Sequence, residues 1–580
     1  MSSQKYEDML NLALDTPEGD REQSKTLNVG FDSIINTWEV IVRYNGDIEF
    51  LKSNGVSIIY LSGNYAILTV PDNFIRNLNS YKEIIYVEMP KSLYLTVANG
   101  IRTSCINNVQ VREFSNRGGL FGEGVICALI DSGIDIFNDA FRNNDGSTRI
   151  LEIWDQNISG NPPEGYTLGT VFTKDDINDA LRSGRFRSRD VSGHGTHVAG
   201  IMAGNFASNK NNSIGIATRS PIIMVKLNTS INNGFPRTTE LMQAINYIYQ
   251  AAVRYNMPVS INISFGNSYG SHDGTSLIET FIDDISNLWK MCICIGTGNE
   301  GAAAGHTKEI FKINDEKSMR FTIGEYESNI NIQIWKNYED VFEFTITAPG
   351  RVNSIKIDNV VGSIKRRLGS NKILIYYGEP SPYSPFQEIF IDIIPDISVN
   401  DYITPGIWSI DVAAQRVVNG RIDMWLPDSA SLNEDTRFLT PSPETTLTIP
   451  STSNSAISVG GYNSLLMSYA DFSGRGFTRV VGRIKPDIVA PAVNITSAAT
   501  GGGVTEKSGT SMACPFVAGS AALLMEWGIV RENDLYLYGE KVKAYLIKGA
   551  RPLPGYTQIP DERIGFGALC LRDSLSLIHI

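Results

Sequence analysis

The sequence predicts an α/β fold built on a mostly parallel sheet, preceded by a small α+β unit and interrupted by a β-rich insertion. Three observations carry this expectation. Continuous apolar runs ending in small or polar residues (Val125 to Ile130, Pro221 to Leu227, Val259 to Ile263, Met291 to Gly296) alternate with helix-periodic stretches such as Thr238 to Tyr255. Strands buried on both faces between helices form parallel sheets. From about Glu309 to Leu447 the helical period vanishes, and about 140 residues of short strands with Gly, Pro and Asn turns read as a β-sandwich or jelly roll. Ahead of residue 90 the order strand, helix, strand, strand, helix, strand is that of the split βαβ, ferredoxin-like unit.

Composition limits the classes. At 580 residues the chain is too long for one core, and two to four domains are expected. A formal net charge of −12 gives no basic field to attract phosphates, which argues against nucleic acid as a partner. Six cysteines are too few for a disulfide scaffold in a chain this long. Cys127, Cys292 and Cys294 lie in apolar runs and read as small buried hydrophobes. Cys292-Ile293-Cys294 has no partner His nearby, so no zinc site is expected. The stretch Met1 to Asp8 lacks a basic region followed by an apolar one, and no apolar run of membrane-spanning length occurs. Synthesis in the cytoplasm without a Sec signal peptide, and no membrane span, are the corresponding expectations.

Taken in order, residues 1–33 are polar and helix-prone around Tyr6 to Leu14, with no function assigned. Strands are predicted at Trp38 to Tyr44, Val56 to Leu61, Tyr65 to Val70 and Ile84 to Glu88. Helices are predicted from Asp47 and from Pro71 to Leu78. The α/β texture starts at Gly124, breaks after Gly301 and resumes at Ala456. A helix from Gly539 to Gly549 and an apolar tail, Ala568 to Ile580, close the chain.

Four stretches carry chemistry. Ser511 lies between a Gly-Thr turn and an apolar helix, where free N–H groups and the positive dipole end favour a developing anion. Alone, such a Ser is more often an ordinary helix cap. A Ser nucleophile needs a base, an acid that orients the base, and oxyanion donors. His194 is the candidate base, at the start of a small-residue helix, and His197 is expected to be structural. Asp131 ends an apolar strand and is the candidate acid, while Asp135, beyond Gly133, is the competitor and reads as a turn carboxylate. Gly296-Thr297-Gly298-Asn299 follows a strand and offers the Asn299 amide, with the Ser511 N–H, to an oxyanion.

These residues resemble a known family. Asp131-Ser132-Gly133-Ile134-Asp135, His194-Gly195-Thr196-His197-Val198-Ala199-Gly200, Gly298-Asn299 and Gly509-Thr510-Ser511-Met512-Ala513 are similar to the motifs of subtilisin-like serine proteases (subtilases), in the same order. The resemblance implies a subtilisin-like catalytic domain over residues 99–306 and 448–580. It also implies an N-terminal propeptide over 1–98, with a ferredoxin-like core at about 34–88, and a jelly-roll-like insertion over 307–447. Ser264, Phe265 and Gly266 would pair with the substrate backbone and wall the S1 pocket, with Phe265 where Leu is usual. Gly296, Thr297 and Gly298 are read with them as substrate-binding. No cofactor or metal is expected.

A closer resemblance is to the Csp group of germination proteases from spore-forming anaerobes. It rests on the opening Tyr6-Glu7-Asp8-Met9-Leu10-Asn11-Leu12-Ala13-Leu14, the propeptide type and the insertion after Asn299. It implies self-cleavage between about Tyr94 and Asn99, a propeptide that stays bound, packaging in the spore, and a cortex-lytic proenzyme as protein substrate. Some members of the group have lost triad residues; this chain keeps all three. The alternative reading is a propeptide-blocked, pseudoprotease-like sensor. A carbohydrate-binding insertion, with Trp335, Trp408 and Trp425 as stacking platforms, is weighed against their burial as core residues.

Overall fold

The computed structural model describes residues 4–24, 26–91, 103–110, 118–205, 215–229, 235–350, 354–480 and 482–578. The expected self-cleavage stretch from Tyr94 to Asn99 lies outside the described residues. The chain divides into two units: Leu93–Gly266 with Ile278–Asn299 and Leu447–Ile580, and Met1–Ser92 with Asn267–Leu277 and Glu300–Thr446.

The first unit is organised by a nine-stranded sheet. From one edge its order is Ser468–Tyr469, Ile457–Asn463, Met291–Gly296, Val259–Ile263, Ile126–Asp131, Ile222–Lys226, Ile150–Asp155 and Thr170–Thr173, with Ile488–Pro491 also paired to Ile457–Asn463. The inner pairings are parallel and the two edge strands antiparallel. Every residue of Ile126–Asp131, Val259–Ile263 and Met291–Gly296 is buried, as continuous apolar runs require when helices cover both faces. Helices His194–Ala203 and Thr510–Met525 are buried along their whole length and pack on each other. The stretch Thr510–Val530 is long and apolar enough to span a bilayer, but it is 94% buried and serves as the core helix of this unit. A disulfide joins Cys105 to Cys570, 465 positions apart, while Cys127, Cys292, Cys294 and Cys514 are buried thiols.

The second unit begins with a five-stranded antiparallel sheet. Ile84–Glu88, Thr37–Tyr44, Tyr65–Pro71 and Ser57–Leu61 lie in that spatial order, and the short Phe31–Asp32 also pairs with Thr37–Tyr44. The predicted helices are shorter and tighter than expected. Glu49–Asn54 is 3₁₀, and a single α turn, Asp72–Ile75, runs directly into 3₁₀ turns at Arg76–Ser80. Such short segments gain too few i to i+4 bonds to offset nucleation.

Residues from His306 onward build two antiparallel sheets. One has six strands: His306–Ile310, Arg421–Trp425, Ile330–Asn337, Phe386–Pro395, Asn371–Tyr377 and Gly362–Leu368. The other has five: Ser354–Ile357, Val341–Thr347, Gly406–Arg416, Glu316–Ile323 and Arg437–Phe438. Their facing residues, among them Phe321, Phe344, Ile391 and Trp408, form one core. In Val341–Thr347 burial alternates strictly, with Phe342, Phe344 and Ile346 turned inward, the signature of a half-buried strand.

Strand Phe386–Pro395 is buried on both faces. Its Ile389, Ile391 and Ile393 fill the sandwich, while Phe390 and Ile394, with Leu374 and Tyr376, join the core of the N-terminal residues. Helix Asp8–Asp15 covers that face through Met9, Leu10, Leu12 and Ala13. This gives the N-terminal stretch a packing role that its sequence alone does not reveal.

The unit also takes in residues that the sequence assigns to the catalytic domain, 267–277 and 300–306. The reason is local bonding. The Gly270 N–H donates to Gln333 Oε1 at 2.8 Å, Gln333 Nε2 donates to the Ser268 carbonyl, Ser384 Oγ donates to Asp273, and His272 stacks on Trp425 at 4.3 Å. Trp408 and Trp425 are 0% and 2% exposed. Trp425 is also stacked on His306, so neither of these two rings is a carbohydrate platform.

Candidate active site

Three neighbouring strands end together, with Ile130, Ile263 and Ile295 in register across them. The residues that follow or close these strands are Asp131, Ser264 to Gly266, and Gly296 to Asn299. The carboxyl ends of central parallel strands are where such sheets hold their sites.

Asp131 is fully buried, and its Oδ1 lies 2.7 Å from His194 Nδ1 and accepts the Ser132 N–H at 2.7 Å. The imidazole is therefore held with a proton on Nδ1, which leaves Nε2 as the basic nitrogen. A Cβ at Gly195 would collide with the Gly133 carbonyl and stand 3.0 Å from Asp131 Oδ1, so glycine is what lets the His194 helix approach the Asp131 strand end.

Asp190 is a residue that the motif reading missed. Its Oδ1 accepts the Gly193 N–H at 3.0 Å and the Ser132 hydroxyl at 2.8 Å; its Oδ2 accepts the Thr196 N–H at 2.8 Å and the Thr196 hydroxyl at 2.7 Å. One buried carboxylate thus caps the His194 helix and ties it to the Asp131 loop. The visible signal is an Asp four residues before His194, in the region where helices recruit acidic caps.

The competitors fall into structural places. Asp135 accepts from the Phe137 and Gly501 N–H groups, as a turn carboxylate. His197 places Nε2 3.0 Å from the Ile495 carbonyl, and burial pushes its pKa down to about 3, so it stays neutral.

Ser511 is the second residue of helix Thr510–Met525 and is buried. Pro515, four residues on, has no N–H to give the Ser511 carbonyl, as a regular helix would require. The Ser264 hydroxyl fills that role at 3.3 Å, and itself accepts from Asn262 Nδ2 at 2.9 Å. The missing backbone donor thus couples the helix start to Ser264 and so to the Ser264 to Gly266 segment.

Asn299 Oδ1 accepts the Thr510 N–H at 3.2 Å and its hydroxyl at 3.3 Å. The carboxamide is tethered by its oxygen, and its Nδ2 makes no hydrogen bond among the described residues. This orientation presents N–H donors beside the residue preceding Ser511, the arrangement that stabilises an oxyanion. Gly298 has φ +79°, a conformation that side-chain-bearing residues rarely adopt. Thr297 is fully buried, and Phe265 is 4% exposed. Thr448, the first residue past Leu447, donates its N–H to the Thr297 carbonyl at 2.9 Å. Its side chain fills the space where a Cβ of Gly266 or Gly298 would stand. It therefore bridges the two segments that were read as substrate-binding, another contact the motifs do not announce.

A carboxylate-held imidazole, a hydroxyl on the first turn of a buried helix and a tethered carboxamide suit acyl transfer through a tetrahedral intermediate. With Asp131 and Asn299 at the ends of central parallel strands, and His194 and Ser511 at the starts of the two helices packed on that sheet, they define a serine protease of the subtilisin type.

Comparison with known proteins gives the same class. The subtilase family model matches residues 122–377 and 430–567, and the Csp protease B prodomain model matches residues 4–91. The chain belongs to the subtilase family and carries a Csp-type prodomain. Among solved structures it is similar to the CspB protease of Clostridium perfringens, at 37% identity and a TM-score of 0.73, over 82% of this chain and 96% of that one. Among curated relatives, the C5a peptidase of Streptococcus pyogenes is 24% identical over 447 residues, covering 73% of this chain and 37% of that protein. The PII-type proteinase of Lacticaseibacillus paracasei is 24% identical over 469 residues, covering 73% of this chain and 23% of that protein. The chain therefore spans about a third or less of the length of these curated relatives.

Proposed function

We propose that the chain is a self-processing endopeptidase in which Ser511 attacks the scissile carbonyl, His194 serves as base and then acid, Asp131 orients His194, and Asn299 binds the oxyanion. The observation that carries this reading is the 2.7 Å Asp131–His194 contact, on a sheet end that also holds Asn299 against Thr510. The prodomain match and the likeness to CspB support a narrower role, limited proteolysis that activates a cortex-lytic proenzyme during spore germination. Packaging in the spore, retention of the cut prodomain and a jelly-roll topology for the insertion belong to the same proposal. The jelly-roll reading rests on the two packed antiparallel sheets. The test is incubation of the purified protein with precursors of cortex-lytic hydrolases, followed by N-terminal sequencing of the products. One discrete new N-terminus is expected; no cut in any precursor, from a protein that a fluorophosphonate probe labels, would reject the germination role while leaving the protease reading in place.

Thr448 gives this reading a substrate preference. If Ser264 to Gly266 and Gly296 to Gly298 wall the S1 pocket, the Thr448 side chain against Gly266 and Gly298 supports a shallow pocket that suits small P1 residues. Thr448→Gly is expected to raise kcat/KM for a peptide with Leu or Phe at P1, relative to Ala, by about 10-fold or more, the usual scale for methylene-sized pocket changes. A set of fluorogenic peptides differing only at P1 measures this. An unchanged ratio would place the S1 wall elsewhere.

A further inference from the structure

Within the unit formed by the prodomain and the insertion lies a cavity of about 90 Å³, far from balanced in charge. Among the described residues Glu7, Asp8, Glu88, Glu379 and Glu388 line it, against the single cation Lys91. Lys91 is already committed. Its Nζ lies 2.7 Å from Glu7 Oε1 and 2.8 Å from Glu88 Oε1. The second oxygen of each carboxylate accepts a backbone N–H, from Met89 at 3.0 Å and from Leu277 at 2.9 Å. Burial opposes the Lys91 charge, but the two glutamates outweigh it and raise its pKa.

Glu388 stands apart from this set. It is 7% exposed, and its carboxylate has no hydrogen bond or ion pair among the described residues. Burial first, and the charge of Glu7 second, push its pKa up to about 8. A buried carboxylate without a partner is strongly disfavoured unless a proton or a cation joins it. Trp335 faces Glu388 in register on the neighbouring strand and lines the same cavity, and its Nε1 has no acceptor among the described residues. An unmatched acceptor and an unmatched donor thus stand side by side.

The chemistry of the walls narrows the occupant. Among the described residues no group of three or more acidic, His or Cys side chains is placed to hold a metal ion, so a cage of oxygen ligands is not on offer. A hydrogen-bonding cation needs only one well-placed carboxylate, and the surrounding Tyr376 and Trp335 rings suit a cation near their faces. Size sets the upper limit. A cavity of about 150 Å³ accepts benzene, so this one holds a molecule of about three to five heavy atoms.

We propose that this cavity is a binding site for a small primary ammonium compound, which donates to Glu388 and turns a hydrogen-bond acceptor toward the Trp335 indole. The site is independent of the catalytic reading, because none of its residues belongs to that machinery. The probe is ethanolamine hydrochloride, with ethylene glycol as its neutral counterpart of the same heavy-atom count and with sodium chloride and tetramethylammonium chloride at equal ionic strength. The full-length protein is followed at pH 8 by calorimetric titration and thermal unfolding. Ethanolamine is expected to bind saturably and raise the unfolding temperature, as a ligand of the folded state must. The other three are expected to do neither. Glu388→Gln should weaken binding at least tenfold, and Trp335→Phe, which keeps the ring and removes the N–H, severalfold. Absence of saturation in the unmodified protein, an equal response to sodium or tetramethylammonium, or unchanged affinity in both variants would overturn the proposal. If Glu388→Gln does not fold, the Trp335→Phe affinity decides.

Discussion

Replacing Ser511 by Ala is expected to lower kcat for peptide hydrolysis by about 10⁶-fold, the loss seen when a subtilisin nucleophile is removed, and to leave the chain uncut. The expectation follows from position. Ser511 sits on the first turn of a buried helix, and the helix begins after Gly509, so its hydroxyl is not the cap. Its carbonyl, not its Oγ, takes the Ser264 hydroxyl at 3.3 Å, a bond that Ala keeps. Ala also has the best helix propensity, so the unfolding temperature should hold within a few degrees. Two measurements check this: intact mass of the purified chains, and labelling by a fluorophosphonate probe. A Ser511→Ala chain that still cuts between about Tyr94 and Asn99, or that still takes the probe at the same rate, would remove Ser511 from the chemistry.

The next largest effect is expected from Asp131→Asn, a loss of about 10⁴-fold in kcat at neutral pH. Asp131 Oδ1 accepts from both His194 Nδ1 and the Ser132 N–H at 2.7 Å. An Asn can satisfy Ser132 with its oxygen, but its amide then competes with His194 as a donor and favours the tautomer with Nδ1 unprotonated. That tautomer carries its proton on Nε2 and cannot take one from Ser511. Because the change is made in the reacting group's orientation and not in the peptide-binding segments, KM should move little. A matching rise in KM, or a loss below about tenfold, would mean that Asp131 holds the fold and not the base.

Asp190 explains why Asp131 alone does not determine the geometry. The carboxylate binds the Gly193 and Thr196 N–H groups and the Ser132 hydroxyl, so the strand end and the helix start share one anchor. Catalytic geometry here rests on such tethers as much as on the three reacting residues.

Much of the catalytic unit is legible in the sequence. Apolar runs such as Val259 to Ile263 can only be central strands, and the helix expected from Thr238 to Tyr255 spans those residues. Candidate site residues were legible because small-residue motifs restrict what a backbone can do. Gly195 and Gly298 stand where a side chain would collide or a positive φ is needed. The N-terminal region was legible in strand order but not in helix type, since segments as short as Asp72–Ile75 take their form from what they pack against.

What the sequence by itself determined is the local chemistry: which strands are buried on both faces, which strand ends and helix starts carry Asp131, Asn299, His194 and Ser511, and that the chain alternates α/β with β-rich texture. These follow from periodicity and from backbone restrictions acting over a few residues. The tertiary structure alone decided the long-range pairings. It placed helix Asp8–Asp15 on strands Asn371–Tyr377 and Phe386–Pro395, joined Cys105 to Cys570, drew residues 267–277 to the insertion, and set Thr448 between Gly266 and Gly298. The physical reason is that each of these contacts joins surfaces whose partners lie far away in the chain. An amphipathic helix records only that it has an apolar face, and a buried glutamate such as Glu388 records nothing of the fold that strips it of water.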